Sequence, residues 1–545
     1  MCRKSRGRPS RKFVFAVFLL ALSFVMIPMV LGSVYDGDDL FVHLGRIEGI
    51  KDGLLSGAFL VRINPFMLNS YGLAIPLGYP ETFLYIPAVL RILGLSVETS
   101  YKLFLMICIA GTYWSAYFCG KKIGKSRYCG LVTAFIYTTS SYFLANLYVR
   151  AALGEIQAFV FIPLVVYGLY DFVWEDAAKW WYLAIGFAGL MLCHSITLVI
   201  AAILCTLLCL IYIKRIFFTR THVFTLKKIR SLFYAVGTVA LTTCFFWLPF
   251  LELITAHDLA FHHSWSHIEA KDPFLISRFT IGISVVILCV SLIFLRKKIK
   301  ALWFFLIGGV FSLFFTTALM PWDLLRPYLN NIQFPWRFLS MATFFLAVAI
   351  ALVLHTKYHR RQVRELALIG VIAVSLLGSY MYLSTYVSDR PLLNYTPEIL
   401  HSSDSPINEW LPASISQELL KQEQTVISTD LSEEIAFVRD GVRLNFLWQD
   451  EKGHTCHVPL IYYKGYTAYL TDEKGQQHEL PVLRGADALI ELDMGGLPSG
   501  EVTVDYTGTT LQKVSLFISG SSLAVLAICA CLFCRRKRRP HRCNW

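Results

Sequence analysis

Long apolar runs separated by short basic clusters dominate the chain. An α-helix rises about 1.5 Å per residue, so most of these runs are long enough to cross a hydrocarbon layer roughly 30 Å thick. The pattern predicts about twelve transmembrane helices, at residues 13–31, 101–119, 128–147, 155–173, 180–193, 195–213, 231–251, 274–295, 301–319, 337–355, 366–386 and 514–534.

Two further stretches have apolar positions at helical spacing. From Leu40 to Leu55 these positions recur every three or four residues, which predicts a helix lying on the membrane surface. Residues 82–95 are also apolar, but the run is short, contains Pro87 and carries Arg91. A re-entrant or interfacial helix therefore suits this stretch better than another crossing.

Between residues 387 and 513 the helical spacing gives way to alternation of apolar and polar positions. Short alternating segments with turns such as Asp440-Gly441 between them are typical of antiparallel strands. The segments lie at residues 436–439, 442–448, 458–463, 468–470, 488–492 and 502–506. We therefore expect a polytopic α-helical membrane protein with a C-terminal β-sandwich before its last helix. Its expected domains are residues 1–386, with a structured first outer loop at 32–100, residues 387–513, and residues 514–545.

The basic clusters indicate how the chain is oriented in the membrane. They lie at residues 3–12, 121–127, 214–230, 296–300, 357–364 and 535–542. Loops rich in Lys and Arg favour the cytoplasmic side. This rule predicts that both termini are cytoplasmic and that loops 32–100 and 387–513 are extracytoplasmic.

Composition excludes two other classes of protein. With 56% hydrophobic and 16% charged residues, the chain is too apolar for a soluble protein of this length. The net charge of +13 is dispersed in clusters between apolar runs, so it predicts topology and no nucleic-acid partner.

Candidate chemistry begins just after the first apolar run, where Asp36, Asp38 and Asp39 precede His43 and Arg46. Ionisable groups at a lipid boundary are costly and therefore indicate function. Asp38 and Asp39 are candidates for a general base, or for ligands of a divalent cation such as Mg²⁺ or Mn²⁺ bridging to phosphate. His43 and Arg46 share a helical face with Asp39, so we expect Arg46 to face a phosphate. The alternative is that Asp36, Gly37 and Asp38 form an ordinary turn and N-cap at the start of the following helix.

Other polar residues fall near the ends of apolar runs on the same predicted side. Arg150 and Glu155 flank a short outer loop, and His194 lies in the tight turn between two runs. A second group, Gln333, Trp336 and Arg337, precedes the run at 337–355. Each residue alone can be an interfacial anchor, and His194 can satisfy a buried carbonyl. Together with the carboxylates, they predict a binding site for a lipid-linked phosphate.

Several short motifs resemble a known superfamily. They are Asp39-Leu-Phe-Val-His43-Leu-Gly-Arg46, Gly78-Tyr-Pro80, Tyr148-Val-Arg150 with Glu155, Gln333-Phe-Pro-Trp-Arg337 and Val458-Pro-Leu-Ile-Tyr-Tyr-Lys-Gly-Tyr466. In these motifs the chain resembles the GT-C superfamily of integral-membrane glycosyltransferases. It is most similar to bacterial YfhO-like and 6-pyruvoyl-tetrahydropterin synthase-related membrane proteins.

The resemblance implies transfer of a sugar from a polyprenyl-phosphate-linked donor to a cell-surface glycan, polymer or lipid acceptor, in contact with membrane lipids. It also implies that an acidic residue of the first outer loop is the base or a metal ligand, which is Asp38 or Asp39 in this chain. Two alternatives remain. One is a flippase or exporter of lipid-linked glycans, and the other is a non-catalytic membrane assembly protein.

Overall fold

A computed structural model describes residues 9–30, 33–217, 226–260, 300–317, 319–358, 360–402, 409–428, 433–449 and 455–538. The longer helices are α1 (Arg11–Val30), α2 (Leu40–Leu55), α3 (Tyr85–Ile92), α4 (Val97–Ile123), α5 (Arg127–Thr138), α6 (Leu153–Trp174), α7 (Trp181–Met191), α8 (Ser195–Ile211), α9 (Leu226–Thr242), α10 (Cys244–Ala256), α11 (Lys300–Phe314), α12 (Leu339–Lys357), α13 (Arg361–Tyr386) and α14 (Thr510–Arg538). Shorter helical segments are Ile75–Gly78, Ser141–Leu144, Ala145–Val149, Ile213–Phe217, Trp322–Leu329, Pro335–Phe338 and Pro397–His401.

Within the described residues, six helices are long and apolar enough to cross a membrane. They are Arg11–Val30, Val97–Ile123, Leu153–Trp174, Pro335–Lys357, Arg361–Tyr386 and Thr510–Leu532. The pair α9 and α10 is bent by 68° and would make a seventh crossing if it is one broken span. The predicted count of twelve is therefore not confirmed.

The difference in helix count has structural reasons. The run predicted at 128–147 breaks because α5 ends at Thr138 and a four-residue helix and a π-helical turn follow. The runs at 180–193 and 195–213 form helices of only 11 and 17 residues. The run predicted at 274–295 lies outside the described residues.

Helix α2 is an internal helix and does not lie on a surface as predicted. Its apolar residues Leu40, Leu44 and Ile47 are at most 1% exposed, and its opposite side is buried as well. Gly45, Gly49 and Gly53 make that second contact possible, because they let the chain at 61–67 lie against the helix backbone. A Cβ atom at Gly49 would overlap the amide of the buried Asn64.

The C-terminal region is rich in β-structure. Its strands are β3 (Val426–Ser428), β4 (Glu433–Ile435), β5 (Phe437–Asp440), β6 (Arg443–Trp448), β7 (Thr455–Ile461), β8 (Tyr466–Asp472), β9 (Gln477–Leu480), β10 (Val482–Arg484), β11 (Leu489–Asp493) and β12 (Gly500–Tyr506). They form two antiparallel five-stranded sheets, in the orders β10-β11-β7-β3-β4 and β5-β6-β12-β8-β9.

Each sheet buries one face, as the alternation of apolar residues requires. Along β6, Leu444, Phe446 and Trp448 are buried, whereas Leu447 is 61% exposed. The buried residues of both sheets belong to one core that continues into the helices. This continuity fixes the β-rich region against the helical part of the chain.

A two-stranded sheet attaches the first loop to the segment after α13. Strand β1 (Val34–Tyr35) pairs antiparallel with β2 (Leu392–Leu393). Nearby, Arg390 donates through Nη1 to the carbonyl of Val149 at 2.7 Å. The segment around residue 390 thereby contacts two parts of the chain that are far apart in sequence.

We expect Gly49→Ala to lower the free energy of unfolding by about 1–3 kcal/mol, because a methyl group must displace Asn64 from a packed contact. The matched control is Gly370→Ala in α13, where nothing lies within 4 Å of an added Cβ. This control should be neutral or should stabilise the helix by up to about 1 kcal/mol. Thermal unfolding of the full chain in detergent measures both variants, and equal loss of stability would contradict the contact.

Candidate functional site

Backbone hydrogen bonds hold the start of α2 against the loop that precedes α6. The amide of Asp38 donates to the carbonyl of Val149 at 3.1 Å, and the amide of Asp39 donates to that of Arg150 at 2.8 Å. Gly37 lies so close to Ala151 that a Cβ atom would overlap it. Because the backbone makes these contacts, the position of Asp39 relative to Arg150 does not depend on mobile side chains.

A buried cluster of ionic groups lies next to this contact. Oε1 of Glu155, in the first turn of α6, accepts from Arg150 Nη1 at 2.6 Å and from Arg337 Nε at 2.9 Å. Its other oxygen, Oε2, accepts from the Tyr142 hydroxyl at 2.6 Å. Glu155 is 1% exposed and both arginines are 6% exposed. One carboxylate therefore joins residues on three separate parts of the chain.

The backbone is strained on both sides of this cluster. Ala151 has φ of 50° and Gln333 has φ of 61°, in the left-handed region that non-glycine residues rarely adopt. The Gln333 side chain is held at both ends, since its Oε1 accepts from Arg337 Nη1 at 2.8 Å and its Nε2 donates to Glu409 at 3.2 Å. Strain of this kind persists where surrounding contacts impose it, and it is often found at functional sites.

Two aromatic rings complete this side of the cluster. Phe334 and Trp336 stack with their centroids 4.6 Å apart and their planes 4° from parallel. The Arg337 guanidinium lies 4.9 Å from the centroid of Phe334, and that of Arg150 lies 5.7 Å from it. Trp336 therefore supports the ring that both arginines contact, in addition to any role as an interfacial anchor.

The structure separates the two candidate carboxylates. Asp38 is 58% exposed and accepts from Arg390 Nη2 at 3.2 Å. Asp39 occupies the N-cap position of α2, but its side chain accepts no capping hydrogen bond. The simple N-cap interpretation therefore does not account for Asp39.

The environment of Asp39 shifts its acidity. Burial raises the pKa of the Asp39 carboxyl above its usual value, and the nearby guanidinium groups of Arg150 and Arg337 oppose that rise. In the described part of the chain no hydrogen bond reaches this carboxylate. The Asp39 carboxylate is thus partly buried and lies within electrostatic range of Arg150 and Arg337.

His43 and Arg46 have a different role from the one predicted. Arg46 is 1% exposed and donates to Glu81 Oε1 at 2.7 Å and to the carbonyl of Pro80 at 2.8 Å. The expectation that Arg46 faces a phosphate is wrong in this structure, because Glu81 is its counter-ion. Sequence spacing indicates a helical face, but it does not identify a partner 35 residues away.

His43 lies between two groups that can only donate hydrogen bonds. Arg46 Nη1 is 3.1 Å from Nδ1, and the amide of Leu153 is 3.2 Å from Nε2. Burial and then the charge of Arg46 lower the pKa of His43 well below its usual value. The ring is therefore neutral and lies between α2 and the start of α6. Because a neutral imidazole accepts at one nitrogen only, just one of these two contacts is a hydrogen bond.

His194 caps helix α8. Its Nδ1 accepts from the amide of Thr197 at 3.3 Å and lies 2.7 Å from the Thr197 hydroxyl. Burial, followed by the charge of Arg337, lowers the pKa of His194 to about 3. His194 is consequently neutral. Its pKa is influenced by the charges of the cluster, but its ring makes no described hydrogen bond to a cluster residue.

Sequence reasoning missed four residues that complete the site. Tyr142 and Asn146 bind Glu155 and Arg150, respectively, and Glu81 and Arg390 are the ionic partners of Arg46 and Asp38. Tyr142 and Asn146 are four residues apart in an otherwise apolar segment, which is a helical-face signal. The ionic partners had no such signal, because each pairing joins segments distant in sequence.

The residues around Asp39 do not fit a divalent cation. Among the described residues, no group of three or more His, Cys, Asp or Glu side chains is placed to hold a metal ion. Asp38 is directed to Arg390, and the charges that lower the pKa of Asp39 are those of Arg150 and Arg337. Two guanidinium groups would repel a metal ion at this position.

These features define a membrane protein with several apolar helices, a C-terminal β-rich region and a buried ionic cluster within its helical part. Residues 76–386 match the family described as "6-pyruvoyl-tetrahydropterin synthase related domain; membrane protein". The chain belongs to this family, which confirms the predicted resemblance to the 6-pyruvoyl-tetrahydropterin synthase-related membrane proteins. An uncharacterized protein of Lactococcus lactis subsp. cremoris (strain MG1363) is 25% identical over 252 residues, which cover 44% of this chain and 40% of that protein.

Similar solved structures include three proteins of low sequence identity. Arabinofuranosyltransferase AftD from mycobacteria is 12% identical, with a TM-score of 0.46 over 90% of this chain and 40% of that chain. AglB, an oligosaccharyltransferase from Archaeoglobus fulgidus solved with an inhibitory peptide and a dolichol-phosphate, is 13% identical, with a TM-score of 0.40 over 70% and 57%. ArnT from Cupriavidus metallidurans, bound to undecaprenyl phosphate, is 11% identical, with a TM-score of 0.39 over 72% and 69%. This chain spans less than half of the Lactococcus protein and of AftD.

We expect Glu155→Gln to destabilise the full chain by about 3 kcal/mol or more, because it leaves two buried guanidinium groups without a counter-charge. The matched control is Glu365→Gln, which removes an ion pair whose partners are 53% and 70% exposed. This control should cost less than about 1 kcal/mol. Thermal unfolding in detergent compares the two, and a Glu155→Gln midpoint equal to that of the control would refute the bridging role.

Proposed function

We propose that this protein transfers a sugar from a polyprenyl-phosphate-linked donor to an extracytoplasmic glycan, polymer or lipid acceptor, with Asp39 as general base. The observation that supports this most directly is the partly buried Asp39 carboxylate, which accepts no hydrogen bond among the described contacts and lies within electrostatic range of Arg150 and Arg337. The proposal includes an orientation with both termini cytoplasmic and the β-rich region extracytoplasmic. We also propose that the domain boundaries lie at residues 386 and 513, as the sequence predicts.

The proposed reaction is a displacement at the anomeric carbon of the donor sugar. The acceptor oxygen forms a bond to that carbon while the bond from the carbon to the donor phosphate oxygen breaks. The electron pair of the broken bond remains on the phosphate, and Asp39 takes the acceptor proton. A base with a raised pKa suits this step, because the proton then moves to a group of more nearly matched affinity.

The arginine pair supplies positive charge for the leaving phosphate. Among the described contacts, Nε and Nη2 of Arg150 and Nη2 of Arg337 make no hydrogen bond, whereas the remaining guanidinium nitrogens bind Glu155, Asn146, Gln333 and the carbonyl of Ile332. Donors that are fixed in place before the reaction stabilise charge that develops during it. Glu155 orients the two guanidinium groups, which leaves these donors for an anion.

The placement of the charges favours an enzyme over a lipid-glycan flippase. Glu155 lies in the first turn of α6, and Arg337 immediately precedes α12. Transporters commonly place ionisable groups near the middle of the membrane. Here the cluster lies at helix ends, next to the first loop, which suits chemistry at the membrane boundary.

Replacing Asp39 separates the proposed enzyme from a non-catalytic assembly protein. We expect Asp39→Asn to reduce sugar transfer by about 10²–10⁴-fold with normal protein levels, since the amide cannot accept the proton. Asp38→Asn is the matched control and should retain transfer, because Asp38 is exposed and pairs with Arg390. Mass spectrometry of surface glycans and lipid-linked sugars, in cells that express only the variant, measures the effect. Normal glycans in Asp39→Asn cells would exclude the catalytic role.

The pH dependence of transfer should report the protonation of Asp39. Because a base acts only when deprotonated, activity should fall as pH drops through a pKa above the ordinary value of roughly 3.9. The Asp38 charge contributes to raising the pKa of Asp39, so Asp38→Asn should move this acid limb to lower pH. Initial rates in membrane vesicles across pH test both points. An acid limb that is unchanged or moves upward in Asp38→Asn would count against Asp39 as the titrating group.

A further inference from the structure

A second site lies away from the Asp39 cluster and shares no residue with it. An open cavity of about 170 Å³ is lined by residues between Gly53 and Pro65, by Val442, by residues 506–508 and by the first two turns of α14. This volume is far above the roughly 10–15 Å³ that one water molecule needs. The cavity thus joins the first loop, the β-rich region and the start of the last apolar helix.

The charge of the cavity wall is of one sign. Arg62 and Lys513 line it, and none of its lining residues is acidic. No ion pair of either residue occurs within the described parts of the chain. Burial lowers the pKa of Arg62 to about 10, a value at which it still carries its charge at neutral pH. Arg62 is partly buried, and a partly buried cation without a described counter-ion favours binding of an external anion.

The described hydrogen bond of the Arg62 side chain has a structural explanation. Its Nη2 donates to the carbonyl of Phe245 at 2.9 Å. In a regular helix that carbonyl would accept from residue 249, but Pro249 has no amide hydrogen. Arg62 therefore satisfies the carbonyl that Pro249 leaves free, and its Nε and Nη1 donors make no described contact. The bond to Phe245 accounts for Nη2 only, and no described acidic group neutralises the positive charge of Arg62.

The surroundings of the cavity are those of a membrane interface. Phe59, next to the lining residues Ala58 and Leu60, is 84% exposed, and Phe517, next to Leu516, is 75% exposed. The apolar span that begins at Thr510 is only 11% buried within the protein. An amphiphile can therefore place its chains along α14 while its headgroup enters the cavity.

We propose that this cavity binds the phosphate group of an anionic membrane lipid, with Arg62 and Lys513 as its cationic contacts. Arg62 supplies fixed donors from the first loop, and Lys513 adds a second charge at the mouth. Bound lipid would connect the first loop to α14 and to the β-rich region. This proposal does not depend on the sugar-transfer proposal, because neither Asp39 nor its arginines take part.

The test uses the full chain in a neutral detergent and three probes: short-chain phosphatidylglycerol, phosphatidylcholine with the same chains, and inorganic phosphate. We expect phosphatidylglycerol to raise the midpoint of thermal unfolding and to remain bound in native mass spectrometry. Phosphatidylcholine and inorganic phosphate should do neither at equal concentration. Lys513→Gln should weaken phosphatidylglycerol binding by about fivefold, in line with the contribution of one surface cation. Arg62→Gln should weaken it at least as much.

Lys474→Gln, which removes a lysine at an exposed hairpin turn, is the matched control and should bind as the unmodified chain does. If Arg62→Gln does not fold because Phe245 loses its donor, Lys513→Gln decides the outcome. Equal binding by Lys513→Gln and the unmodified chain would overturn the proposal. Phosphatidylcholine carries the same phosphodiester group together with a cationic choline, so equal stabilisation by this lipid would show that the site does not select an anionic headgroup and would overturn the proposal as well. Equal stabilisation by inorganic phosphate would assign the cavity to a free phosphate compound instead of a lipid.

Discussion

A single buried carboxylate, Glu155, holds two guanidinium groups that would otherwise repel each other. Arg150 lies five residues before it, whereas Arg337 is 182 residues further along the chain. Two buried guanidinium groups close to each other need a shared counter-ion, and removing the Glu155 carboxylate would leave both without one. The position of α12 relative to α6 is therefore tied to the same interaction that forms the site.

The first loop is positioned by a different kind of contact. Backbone hydrogen bonds at Asp38 and Asp39, the close approach of Gly37 to Ala151, and the short sheet of β1 with β2 all act on the backbone. These contacts do not involve the Asp39 carboxylate, so this group takes no part in positioning the loop. This arrangement is consistent with the proposed role of Asp39 as general base.

Much of the local structure follows from residue patterns. The apolar spacing between Leu40 and Leu55 corresponds to α2, and alternation predicts the positions of strands such as β6 and β12. Residues near the ends of apolar runs, including Arg150, Glu155 and Arg337, were identified as site candidates because charges there are costly. The choice between Asp38 and Asp39 could not be made in this way, since neighbouring residues have the same local sequence environment.

The sequence by itself determined the class of protein, the apolar helices and the alternating strands, because hydrophobic periodicity acts over a few residues at a time. Only the tertiary structure decided that Arg46 pairs with Glu81, that Asp38 pairs with Arg390 and that the Asp39 carboxyl lies within electrostatic range of Arg150 and Arg337. It also decided that α2 is buried on opposite sides, through glycines whose partners lie outside the helix. The reason is physical. An ion pair or a close backbone contact depends on the distance between atoms, and residues separated by tens or hundreds of positions reach a defined distance only when the chain folds.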